Sequence, residues 1–190
     1  ETVWRQADRY GVPRICFINK MDKPGADFPR ALETIKDRLG APALAMQLPL
    51  GSEDELRGVI DLVTMKALEF ASDDLGATWN VIDIPAEFKD QADEARQLLI
   101  EACAECDEAL EERFLGDDTD FSDNEIRSAI RKGTLTQKIV PVFCGSAFKN
   151  KGVQQLLDAV IEYLPSPIDL PATEGTDPDD AEKKLTREAS

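Results

Sequence analysis

Apolar residues recur along the 190-residue chain in two rhythms, and the change between them divides it. Val3, Trp4, Ala7 and Tyr10 share one face at helical spacing, which predicts a short amphipathic helix over 2–10. Gly11 and Pro13 stop it. Residues 14–18 (RICFI) are then almost wholly apolar, as in a parallel strand covered on both faces. Asp27 offers a cap for a helix over 28–39, with Ala31, Leu32, Ile35 and Leu39 inward. Gly40 and Pro42 end that helix.

From there the pattern changes. Residues 43–50, 58–63, 66–70 and 78–84 read as short strands, punctuated by Gly51 and Gly58. One long helix is predicted over 86–115, and a shorter one over 123–132 with Asp123 as its cap. Only then does a second apolar run appear, Ile139-Val140-Pro141-Val142-Phe143-Cys144, followed by Gly145-Ser146-Ala147-Phe148 and a helix over 153–164. The expected fold is α/β, with parallel strands and flanking helices, interrupted by an inserted α+β subdomain. Residues 1–40 and 136–168 form the first part, and 41–135 the insert. Residues 169–190, rich in Asp and Glu with little periodicity, read as a linker.

Chemistry enters at the ends of the two apolar runs. Asn19-Lys20-Met21-Asp22 follows the first. A carboxylate at Asp22 can accept from guanine N1–H and from its 2-amino group together. Adenine offers neither donor in that place and would leave the charge unpaired. Asn19 carries both a donor and an acceptor, for the base N7 and for the neighbouring loop. The Lys20 stem can lie over the base with its ammonium near the ribose. After the second run, the Ala147 N–H suits guanine O6, and the Ser146 hydroxyl can bond within the loop. Both loops fall at the carboxyl ends of strands, where open α/β sheets bind ligands.

These stretches make the chain recognisable. ETVWRQA at residues 1–7, FINKMDKPGADF at 17–28 and CGSAFKNKGVQQLLDAVIEYLPSP at 144–167 resemble the bacterial elongation factor G family of ribosomal GTPases. The resemblance runs over almost the whole chain. It implies the second half of a P-loop-type G domain with an insert. GTP and GDP would be the ligands, and the parent protein a GTP hydrolase acting in translocation on the ribosome. The chain contains no G-x-x-x-x-G-K-[ST] phosphate loop, and no D-x-x-G follows an apolar strand in the place where the family holds magnesium. The resemblance therefore implies a piece whose phosphate- and Mg2+-handling parts lie upstream, and which is inactive alone. A β-barrel domain would follow the linker. Other readings are a release-factor or ribosome-protection GTPase, or a non-catalytic acidic interaction module.

Charge sharpens the picture of the insert. Residues 72–125 hold 18 acidic and three basic residues, while the whole chain carries −16. The sign argues against direct nucleic-acid binding by this part. On the predicted long helix, Ala92, Ala95, Leu99, Cys103, Cys106, Leu110 and Phe114 form an apolar seam. Asp90, Glu94, Glu101, Glu105, Glu108 and Glu112 form a second, acidic stripe. It reads as a solvated face or as a docking surface for a basic partner. The family resemblance implies the C-terminal domain of the ribosomal stalk protein.

Cys103 and Cys106 form C-x-x-C, but without histidine or a second pair no four-ligand zinc site can be built. Four unpaired cysteines fit a reducing cytoplasm. No apolar run is long enough to span a membrane.

Overall fold

The computed structural model describes residues 1–71, 78–169, 172–177 and 180–187. In chain order, α1 (Thr2–Arg9) leads to β1 (Cys16–Ile18), α2 (Phe28–Leu39) and β2 (Ala43–Ala45). Four strands follow: β3 (Gln47–Leu50), β4 (Gly58–Asp61), β5 (Lys66–Phe70) and β6 (Trp79–Ile82). Then come α3 (Ala86–Ala104), α4 (Glu108–Leu115) and α5 (Asp123–Leu135). Last are β7 (Val140–Cys144), α6 (Val153–Tyr163), β8 (Thr173–Asp177) and β9 (Asp180–Arg187).

β7 lies between β1 and β2 in a parallel sheet. Every residue of β7 is buried, as the unbroken apolar run requires. α2 packs on β1 and β2, and α5 on β7 and α6. The architecture is α/β, as the sequence predicts. β3 to β6 form a separate antiparallel meander. Arg96 fastens α3 to it, its Nη1 donating to the carbonyls of Leu62 (2.6 Å) and Val63 (2.8 Å). Asp27 caps α2 as expected, accepting from the Arg30 N–H at 2.9 Å, and Gly40 ends it in the left-handed region.

Several elements depart from the sequence reading. The single strand expected over 43–50 is two strands in different sheets. Buried Met46 is the corner: its N–H reaches the carbonyl of Val142, and its own carbonyl accepts from Leu62. The long helix over 86–115 breaks after Ala104. The Asp107 carboxylate accepts from the Ala109 N–H at 3.1 Å, starting α4, and also meets the Lys132 ammonium at 3.2 Å. A cap there outcompetes continuation of the helix. The apolar seam persists through the break, so periodicity alone does not reveal it. The cap of α5 is Ser122, in a capping box with Glu125, rather than Asp123.

On α1 the expected inner face is partly open, with Val3 77% and Tyr10 74% exposed. Arg14 holds this helix instead, 4.3 Å over the Trp4 ring and 2.6 Å from Asp8. The segment read as a linker contains β8 and β9, paired antiparallel. Two-stranded hairpins are marginal by themselves. Cys103 and Cys106 are buried free thiols; burial lifts Cys103 to about 12 and Cys106 upward. Both serve as apolar filling. No helix among the described residues is long and apolar enough to cross a membrane.

Candidate guanine-reading site

β1 and β7 end level with one another, Ile18 opposite Cys144, so the loops after them emerge side by side. Backbone bonds fix this pairing: the Gly145 N–H donates to Ile18 (3.1 Å), and the Met21 N–H to Gly145 (3.0 Å). Asn19 then crosses between the loops. Its Oδ1 accepts from the Lys20 N–H at 2.7 Å and from the Ala147 N–H at 2.9 Å. Lys20 takes a left-handed conformation (φ 64°), which makes that first contact local. The second loop closes on itself, because Ser146 and Lys151 exchange both backbone hydrogen bonds at 3.0 Å. Gly145 permits this closure: a Cβ there would sit 2.2 Å from the carbonyl oxygen of Lys151.

Asp22 lies beneath these loops, only 2% exposed. Neither of its oxygens has a hydrogen-bond partner of good geometry, and the same is true of buried Ser146 Oγ. The Lys23 and Lys149 ammonium groups stand 3.4 and 3.5 Å from Oδ2. The carboxyl is nonetheless held low, at about 2. The nearby Ser146 hydroxyl is the largest influence, opposed by burial and aided by the backbone and Lys23. A charged, buried carboxylate with open acceptor positions is a costly arrangement unless a donor arrives. A ligand with two adjacent N–H groups would satisfy it.

The structure thus gathers Asn19, Lys20, Asp22, Ser146 and Ala147 at one place. The Ala147 N–H is already donated to Asn19, so a guanine O6 would have to share it. Sequence reasoning missed Lys149 as a neighbour of Asp22, because it lies in a distant polar turn; Lys23, the next residue in the chain, is in plain view but the sequence reading gives it no role. It also missed Phe148, whose side chain is 93% exposed beside Ala147. The acidic stripe does not lie on one helix. Glu94 and half-buried Glu101 sit on α3, Glu105 at its C-cap, and exposed Glu108 and Glu112 on α4. Among the described residues no three Cys, Asp or Glu side chains converge as a metal site. The family resemblance implies that Mg2+ is held by residues other than these.

Paired loops at the carboxyl ends of two parallel strands occupy the place where open α/β sheets bind ligands. The model of the elongation factor Tu GTP binding domain matches residues 1–166, and the chain belongs to that family. A crystal structure of a protein from Thermus thermophilus is similar at 28% identity, with a TM-score of 0.77 over 90% of this chain. The chain spans 25% of the length of that structure.

Proposed function

We propose that this chain forms the guanine-reading part of the GTP site of a ribosomal translocation factor of the elongation factor G type. One observation carries the reading: Asn19 Oδ1 and the Ala147 N–H meet at 2.9 Å across 128 residues, with buried Asp22, ion-paired but without a well-aligned hydrogen bond, between their loops. Asp22 accepts from guanine N1–H and the 2-amino group. Asn19 Nδ2 donates to N7, and Ala147 shares its N–H with O6. Lys20 and exposed Phe148 flank the base plane. In the parent protein GTP would be bound and hydrolysed, with residues 41–135 as the insert. The acidic residues on α3 and α4 would meet the basic stalk-protein domain in the cytoplasm.

Titration of the chain with GMP, IMP and AMP, followed by amide shifts in NMR, tests the base reading. Shifts at residues 19–22 and 146–148 should saturate first with GMP. Equal affinity for AMP and GMP would overturn it.

A further inference from the structure

The turn between β3 and β4 leaves its own sheet and reaches both base-reading loops. It begins at Gly51, where φ is 89° and a Cβ would sit 2.2 Å from the Glu55 carbonyl oxygen, so only glycine fits. A single 3-10 turn, Glu53–Glu55, follows. Glu53 adopts φ 53°, a strained conformation for a residue with a side chain. That conformation aims two groups at one segment. The Glu53 N–H donates to the Met21 carbonyl at 3.1 Å. The Glu53 Oε1 accepts from the Gly25 N–H at 2.7 Å. Met21 and Gly25 bracket Asp22, so one residue from outside the loops pins the segment on both sides of the carboxylate. From the same turn, the Leu56 carbonyl accepts from the Lys151 ammonium, which belongs to the second loop.

We propose that Glu53 is a positioning residue for Asp22, setting the angle at which that carboxylate meets the base. The inference rests on the guanine reading above. A bidentate contact needs both N–H···O directions aligned, so a small rotation of residues 21–25 weakens a base with two donors more than a base with one. Guanine has both donors, and hypoxanthine lacks the 2-amino group. The preference for GMP over IMP therefore reports the angle of Asp22.

The test compares Glu53→Ala and Glu53→Gln with wild type by NMR titration against GMP and IMP, with thermal melts alongside. Glu53→Ala frees the Gly25 N–H to solvent. The GMP:IMP affinity ratio should fall by about threefold or more, the scale of weakening one ordinary hydrogen bond. Glu53→Gln keeps an acceptor oxygen and should restore most of the ratio. Melting temperatures should stay close to wild type, since Glu53 is exposed. An unchanged ratio in Glu53→Ala overturns the proposal. So does an equal fall in both variants that tracks lost thermal stability. If wild type itself shows no preference for GMP over IMP, the guanine reading fails first and this inference with it; a preference retained in Glu53→Ala sinks this inference alone.

Discussion

Asp22→Asn perturbs the site at its most constrained point. The substitution keeps shape and removes one acceptor and the charge. Without ligand it deprives two ammonium groups, at 3.4 and 3.5 Å, of their counterion. Both lysines are substantially exposed, so each pair contributes about 0.2–1 kcal/mol. The unliganded variant should therefore lose roughly 0.5–2 kcal/mol of stability at neutral pH. The sign with pH follows from the direction of the shift. The folded carboxyl titrates at about 2, below its ordinary 3.8, so its contribution is present above about pH 4 and lost as pH falls toward 2. The stability difference between wild type and Asp22→Asn should shrink over that window. With ligand the effect is larger. An amide cannot accept from both guanine donors, which removes about 1–3 kcal/mol of discrimination, or about 5- to 150-fold. Xanthine, with a carbonyl at its 2-position, suits the amide better. Competition between GMP and XMP at the chain, read by amide shifts at residues 19–22, measures the switch. An unchanged GMP:XMP ratio would remove Asp22 from the base contact and refute the geometry derived from its burial.

Other outcomes follow from the same site and from the acidic helices. The 190 residues contain no phosphate-loop motif, so the chain should bind GDP weakly, and a sub-micromolar dissociation constant by calorimetry would contradict the half-site picture. Gly145→Ala drives a methyl into the Lys151 carbonyl and should cost about 1–3 kcal/mol in denaturant melts while loosening residues 146–151; wild-type stability would mean the loop can shift. Reversing Glu101, Glu105 and Glu108 to Lys in the parent protein should slow ribosome-stimulated GTP hydrolysis and flatten its salt dependence, because exposed charges are screened beyond about 8–10 Å. Identical salt slopes in stopped-flow traces would leave these residues as a solvated surface.

The parts of the site legible in the sequence are those where residue type and strand position coincide. Asn19 and Ala147 follow apolar runs that form parallel strands, β7 buried throughout and β1 only half-buried at the sheet edge, and their chemistry is specific. What stays hidden depends on tertiary approach. Glu53 lies in the acidic run Ser52-Glu53-Asp54-Glu55 and looks like solvated surface until its backbone conformation is known. The break at Asp107 is masked because Cys103, Cys106 and Leu110 keep helical spacing on both sides of it. The corner at Met46 is invisible because both strands that meet there are apolar. In β8 and β9 the pairing joins polar residues, such as Glu174 opposite Thr186, so no alternation announces it.

The 128 residues that separate Asn19 from Ala147 also impose an order in time. A nascent chain grows at about 5–20 residues per second, so the first loop waits about 6–25 s for the second to be made. Throughout that interval β1 has no β7 to pair with, and Asp22 has neither Ser146 nor Lys149 beside it. Closing so long a loop through disordered chain would cost about 4 kcal/mol in its length-dependent part. If the β3–β6 meander and α3 to α5 fold beforehand, they draw the ends together and offset much of that cost. Residues 41–135 would act as a splint if they fold first, and the two loops can stand side by side only once the strand after them emerges and slots between β1 and β2.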